Sequence, residues 1–381
     1  GGQKRKNGVY NTEKHRKQAY EIASESIVLL KNEGVLPLSK EIKKILVIGD
    51  NAVKKHSNEG GSAEIKALYE ITPLMALRSR LGSHCEIEYV AGYDTHIVKD
   101  ADSINWQATS LEQKIDSKVV KVNQETAIQE ALLKAKNYDH IIYCGGLNHT
   151  FDLEGQDRAA FGLPYEQDRL INALLDINPN TILYFTSGAA FDMSKWHKKA
   201  KAILWSSYIG MEGGYALLDT IFGKLNPSAK LTQTFAQSLK DYPSHSIGEF
   251  PGGEVVSYHE GEVLGYRHFV SKNIKPAFEF GYGLSYTAFE YSDFKLIQNG
   301  KNYDVYLSVE NTGAYDGYET IQLYVTYLEE TKQYPMLKAF EKVWIKKGEK
   351  TLVKLVLKTS ELFDYDETNH RFTLRHGMYK I

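Results

Sequence analysis

The chain has 381 residues, a length that carries a soft expectation of two to three domains. Hydrophobic residues make up 42% and charged residues 25%, and 46 Lys+Arg against 48 Asp+Glu leave a net charge of −2, so no broad field draws in nucleic acid or anionic lipid. No apolar run approaches the roughly 18–20 residues of a membrane span, and Cys85 and Cys144 form neither a disulfide scaffold nor a zinc spacing; fibrous, disordered, membrane and small disulfide-rich classes are excluded.

In chain order, Gly1 to Gly8 is polar and glycine-rich, has no secretory apolar core, and reads as a linker entered in mid-protein. A helix follows, capped by Asn11 or Thr12, with Ala19, Ile22, Ala23, Ile27 and Leu30 at helical spacing and Gly34 as its stop, so that 1–34 is linker and helix. Over 35–235 apolar strands alternate with helical segments. The strands are Ile45 to Ile48, Cys85 to Val90, His140 to Cys144, Thr181 to Phe185 and Ala202 to Ser206. The helices are Pro73 to Leu81, Glu125 to Ala135, Tyr165 to Leu175 and Gly214 to Phe222. Continuous apolar strands are what a parallel sheet buried on both faces requires, and the alternation predicts a doubly wound α/β sandwich. Residues 236–275, with Pro243, Pro251, Gly252 and Gly253, read as a long connection. Over 276–381 the period becomes two: Val305, Leu307, Val309; Ile321, Leu323, Val325; Val353, Leu355, Leu357. Turns at Asn299-Gly300, Asn311-Thr312-Gly313 and Lys347-Gly348 punctuate these runs, and the whole predicts an all-β immunoglobulin-like sandwich.

Chemistry concentrates between a buried strand and a helix, from Cys144 to Pro164. Gly145 and Gly146 allow a tight turn, and Asp152, Glu154, Asp157 and Arg158 follow closely enough to perturb one another's ionisation, as a general acid needs. The competing reading is a solvated loop anchored by salt bridges through Arg158. A second loop, Gly49 to Ala52 and then Ser57 to Ala63, could cradle a phosphate. It lacks G-x-G-x-x-G, however, and its glycine pair lies about a dozen residues past the strand, so a polar cleft wall fits better than a dinucleotide site. His56 reads as a solvated histidine rather than a metal ligand. Ser187-Gly188 is an ordinary strand-to-loop turn, since Phe185 stands where a nucleophile elbow needs glycine. Trp196 and Trp205 are expected in the core. Tyrosine is in excess, with 26 residues, and such rings with polar tips serve either cores or sugar-binding surfaces.

Several segments together resemble glycoside hydrolase family 3. Glu21 to Asn32 followed by Leu36-Pro37-Leu38 is similar to the family's linker helix, and Gly60-Gly61-Ser62-Ala63 to its glycine-serine loop. Glu154-Gly155-Gln156-Asp157-Arg158 before Leu163-Pro164-Tyr165-Glu166-Gln167 resembles its E-G-x-D-R and L-P-x-x-Q pair. Asn226 to Phe235, Tyr258, Gly265-Tyr266-Arg267 and Phe278 to Thr287 complete the series in family order. Ala229 and Thr232 depart from the family's glycine and proline there.

The resemblance implies a retaining exo-acting β-glycosidase, β-glucosidase above all, in which the 35–235 α/β sandwich supplies the acid/base and 276–381 is fibronectin type III-like. The nucleophilic aspartate would lie on an N-terminal (β/α)8 barrel, for which this chain shows no counterpart, so the chain resembles the C-terminal part of a larger enzyme. Carried over by position, the acid/base is Glu154, with Asp152 in reserve; Asp157 and Arg158 hold its loop, with an indirect part in substrate binding, and Gly60, Gly61 and Ser62 line the sugar cleft. The expected partners are a β-linked oligosaccharide or glucoside and the barrel half. A homo-oligomer stays open, and nucleic acid, membrane, cofactor and metal are not expected. The alternative is a non-catalytic carbohydrate-binding or scaffolding module of the same fold. Compartment stays open too, periplasmic or secreted if the source is bacterial.

Overall fold

The computed structural model describes residues 8–95, 124–155, 157–250, 252–329 and 333–381. Gln156, Pro251 and the polar stretch before Gly8 lie outside them. The chain divides into two compact units, Gly1–Leu225 and Asn226–Ile381.

The first unit begins with α1 (Glu13–Ser24), whose Thr12 side chain accepts from the His15 backbone N–H, as an N-cap should. The expected continuation to Gly34 is corrected: Val28–Asn32 is strand β1, antiparallel to a later strand with Val28 opposite Trp205 and Leu29 opposite Leu204. A helix on a surface buries one stripe, whereas Ile27, Val28, Leu29 and Leu30 are all buried, which a paired strand achieves. A run of four apolar residues cannot be assigned by periodicity alone.

After β1 come β2 (Lys44–Ile48), α2 (Pro73–Leu81), β3 (Glu86–Val90), α3 (Gln124–Ala135), β4 (Ile141–Gly146), α4 (Gln167–Ile177), β5 (Ile182–Thr186), β6 (Ala202–Ser206) and α5 (Gly213–Ile221). The sheet order is β1-β6-β5-β4-β2-β3, parallel except for β1. Every residue of β4, β5 and β6 is buried, which is why these strands read as unbroken apolar runs. The chain passes from β2 to β3 on one side and returns past β2 to β4 on the other. Right-handed crossovers then place α2 on one face and α3 and α4 on the opposite one. Accordingly α2 and α1 pack on α5, and α3 packs on α4. Asp219 of α5 ties the first group together, accepting from Tyr20 of α1, Arg80 of α2 and Lys224 (2.8 Å). Burial pushes its carboxyl up, but these donors outweigh that effect and leave it below its ordinary range.

The second unit opens with short helices α6 (Pro243–Ser246) and α7 (Tyr266–Ser271) and a bridge between Phe235 and Phe278. Its strands are β7 (Phe289–Asn299), β8 (Asn302–Asn311), β9 (Gly317–Tyr327), β10 (Met336–Ile345), β11 (Lys350–Leu357), β12 (Phe363–Asp366), β13 (Arg371–Leu374) and β14 (Tyr379–Lys380). They form antiparallel sheets β11-β8-β7 and β10-β9-β14 and a β12–β13 hairpin. The alternating residues of β8, β9 and β11 meet in one core with Ile345 of β10: Val305, Leu307 and Val309, Ile321, Leu323 and Val325, and Val353, Leu355 and Leu357. This is the two-sheet sandwich that a period of two predicts.

Candidate active site

In an open α/β sheet, the carboxyl ends of the strands flanking the reversal of strand order leave a crevice. Here those strands are β2 and β4. Gly49 ends β2 with φ +111°, and a Cβ there would overlap the Cys144 carbonyl oxygen; only glycine lets the two strand exits lie this close. Asn51, buried just beyond, donates from Nδ2 to the carbonyls of Gly145 (2.8 Å) and Leu147 (3.0 Å), stitching the exits together. From the far side Gln167, the buried first residue of α4, clamps Gly146: its Oε1 accepts from the Gly146 N–H and its Nε2 donates to the Gly146 carbonyl, both at 2.9 Å.

The β4 loop then runs over the end of the sheet. Asn148 caps its first turn, accepting on Oδ1 from the Thr150 N–H, while its carbonyl accepts from the Asp152 N–H (2.9 Å each). Asp152 is buried, and its Oδ2 accepts from the Gly188 N–H (2.7 Å) and the Tyr208 hydroxyl (2.8 Å), which pins the loop to the segments after β5 and β6. Burial and the Asp152 carboxylate push the Tyr208 phenol far above its ordinary pKa, so it remains a donor.

Beyond this anchor the loop meets the one that leaves β2. A ring nitrogen of His149 lies 2.6 Å from the Asn58 carbonyl. A Cβ on Gly60 would press on Leu153 and His149 at 3.1–3.2 Å, and one on Gly61 would sit 3.5 Å from Cβ of Glu154. The Ser62 hydroxyl donates to the Glu154 carboxylate, and both side chains are exposed. The structure thus brings Gly60, Gly61 and Ser62 together with Glu154.

The four charged residues have different partners. Asp152 is buried under Gly188 and Tyr208, Glu154 faces Ser62, and Asp157 is exposed. Arg158 donates from Nη2 to the Ala190 carbonyl (2.7 Å), and no ion pair joins the four among the described residues. The expectation of salt bridges through Arg158 is therefore corrected: Nη2 of its guanidinium finds a backbone acceptor instead.

His56 is also not the solvated residue expected from its neighbours. Its ring sits 5.9 Å from that of His149 and 5.6 Å from that of Tyr208, with Nε2 buried and without a partner among the described residues. Burial, helped by the His149 and Lys54 charges, lowers its pKa to about 3. Ser187 is no nucleophile: it is buried, accepts from the Trp205 indole N–H (2.9 Å) and donates to the Ala189 carbonyl. Trp196 and Trp205 are core residues. Among the described residues no three His, Cys, Asp or Glu side chains are placed to hold a metal, and both cysteines are buried thiols. Sequence reasoning missed the anchors Asn51 and Tyr208, which carry no spacing signal. It met Gln167 only as the last letter of a motif.

Residues 27–286 match the glycosyl hydrolase family 3 C-terminal domain, and residues 319–381 match a fibronectin type III-like domain. The chain is 35% identical over 391 residues to a β-glucosidase of Bacteroides ovatus, covering 98% of this chain and 50% of that protein. It is 33% identical to thermostable β-glucosidase B of Acetivibrio thermocellus, covering 93% and 44%. The crystal structure of a Bifidobacterium adolescentis GH3 β-glucosidase superposes with a TM-score of 0.83 at 30% identity, over 97% of this chain and 51% of the other. The chain spans about half the length of the curated relatives it matches. With a mixed α/β unit followed by a β-sandwich, and with these matches over nearly its whole length, the chain belongs to glycoside hydrolase family 3.

Proposed function

We propose that this chain is the acid/base-bearing part of a retaining, exo-acting β-glucosidase whose nucleophilic aspartate lies on a (β/α)8 barrel, with Glu154 as the proton donor. The observation that supports this reading is the division of labour between the two carboxylates of the β4 loop. Asp152 is spent on a buried anchor, which leaves Glu154 as the exposed carboxylate beside Gly61 and Ser62. An anchored loop carrying an exposed carboxyl is what proton transfer to a leaving group needs.

In the first step Glu154 gives its proton to the glycosidic oxygen as the barrel carboxylate attacks the anomeric carbon. In the second, the Glu154 carboxylate takes a proton from water, which displaces the enzyme carboxylate and releases the sugar with retained configuration. The two carboxyls must approach to about 5–5.5 Å, so Glu154 acts only with a barrel docked. Gly60 and Gly61, lacking side chains, let this wall of the sugar cleft close against Leu153, His149 and Glu154, and the Ser62 hydroxyl orients Glu154. Arg158, on the Ala190 carbonyl, and Asp157 hold the loop. The α/β unit, Gly1–Leu225, carries this chemistry.

The test measures nitrophenol and alkyl-alcohol release from β-glucosides by the chain alone and after assembly with its barrel half. The chain alone is expected to be inactive and the assembly active. Glu154→Gln is expected to slow alkyl glucosides far more than nitrophenyl glucosides, because only poor leaving groups need protonation. Slowing independent of leaving group would assign the acid elsewhere. An inert, verified assembly would make the chain a binding module.

A further inference from the structure

The second unit contains a cavity of about 980 Å³ that plays no part in the chemistry above. It is open to solvent at the surface, and its volume is at the upper end of that of small-molecule sites. Its wall has two kinds of surface. One corner is aromatic: the Tyr266 ring stacks on Phe280 at 4.7 Å and meets Tyr324 edge-on at 6.0 Å.

The other surface is polar and held in place. Gln322 accepts from the Tyr324 hydroxyl (2.7 Å) and donates to the Gly281 carbonyl (3.0 Å), so its amide cannot turn freely. Lys230 lies 3.5 Å from Glu319 and also donates to the Gly283 carbonyl, while Glu319 accepts from the Tyr291 hydroxyl at 2.9 Å. Lys275 and Glu279 also line the cavity, so its two lysines and two glutamates leave the wall with no net charge to draw in an ionic ligand. Glu279, exposed at the same wall, has neither an ion pair nor a side-chain hydrogen bond among the described residues.

We propose that this cavity is a second carbohydrate site, which takes a short neutral oligosaccharide. A pyranose has an apolar C–H face and a rim of hydroxyls, and both find complements here. The C–H face stacks on the Tyr324 and Phe280 corner, and the hydroxyls donate to the Glu279 carboxylate and meet the fixed Gln322 amide. A purely apolar ligand would strand these polar groups. The site goes beyond the proposed hydrolase reading and shares no residue with the Glu154 loop.

The test is calorimetric titration of cellotetraose into the 381-residue chain carrying Glu154→Gln, with tetraethylene glycol as a non-sugar control. Saturable binding of the sugar alone is expected, weakened roughly fivefold or more by Tyr324→Ala and by Glu279→Ala, and retained in Ser62→Ala. Glu279 is exposed, so its variant keeps the test valid should Tyr324→Ala fold poorly; circular dichroism checks both. No binding up to about 10 mM, or binding indifferent to Tyr324 and Glu279, would overturn the proposal. Because the readout is binding by a non-hydrolysing chain, either result leaves the Glu154 assignment to its own assay.

Discussion

Removing the Asp152 anchor is the sharpest test of how the β4 loop is held. In Asp152→Ala the Tyr208 hydroxyl and Gly188 N–H lose their shared acceptor, Oδ2, at 2.8 and 2.7 Å. Hydrogen bonds to a charged group are each worth about 1.5–3 kcal/mol. Gly188 is exposed and regains a partner in water, so most of the cost falls on the largely buried Tyr208 hydroxyl. A destabilisation of about 2–4 kcal/mol is expected, and about half of that for Asp152→Asn, whose amide oxygen still accepts. Combining Asp152→Ala with Tyr208→Phe isolates the pair, with an expected coupling of about 1.5 kcal/mol. Equilibrium unfolding in urea reads these values, taking the transition of the first unit from tryptophan fluorescence in a Trp344→Phe background, which removes the tryptophan of the second unit. In the proposed assembly with a barrel half, Asp152→Asn should slow all glucosides alike, because it shifts the loop without removing Glu154, the proposed proton donor. Strict additivity of the two variants, or a loss below about 0.5 kcal/mol for Asp152→Ala, would refute the anchor.

Two further outcomes follow from the same crevice. Gly49→Ala would drive a methyl into the Cys144 carbonyl at a φ of +111°, so a loss of about 3 kcal/mol or more, or failure of the first unit to fold, is expected in thermal unfolding. For His56, burial holds the folded-state pKa near 3, below its unfolded value. The unfolded chain therefore binds the extra proton, and the first unit loses stability as pH falls from about 6.5 towards 3, by at most about 1.4 kcal/mol per pH unit. Urea midpoints between pH 6.5 and 4.5 should fall less steeply in His56→Gln; an equal slope would mean that His56 is not the group responsible.

Much of the architecture is legible before any coordinates. The unbroken apolar strands at Ile45, Ile182 and Ala202 need a sheet covered on both faces, and the alternation through Val305, Ile321 and Val353 needs a sandwich. Both follow from local periodicity, which needs no knowledge of neighbours. The segment Ile27–Leu30 escaped that logic because four apolar residues suit a buried helix as well as a strand. The choice rested on β6 having a free edge to offer them.

The candidate site divides along the same line. By residue type and motif the sequence determined that Glu154 and the Gly60-Gly61-Ser62 loop are the residues to watch, and that the β-sandwich follows the α/β unit. Only the tertiary structure decided that Ser62 meets Glu154 across 92 positions of chain, because β2 and β4 are neighbours at the reversal of strand order. It also decided that Asp152 turns inward to Tyr208 while Glu154 stays exposed. Spacing along a loop does not encode direction: where each side chain points depends on which donors distant segments bring to it, and those are set by the packing of the whole unit.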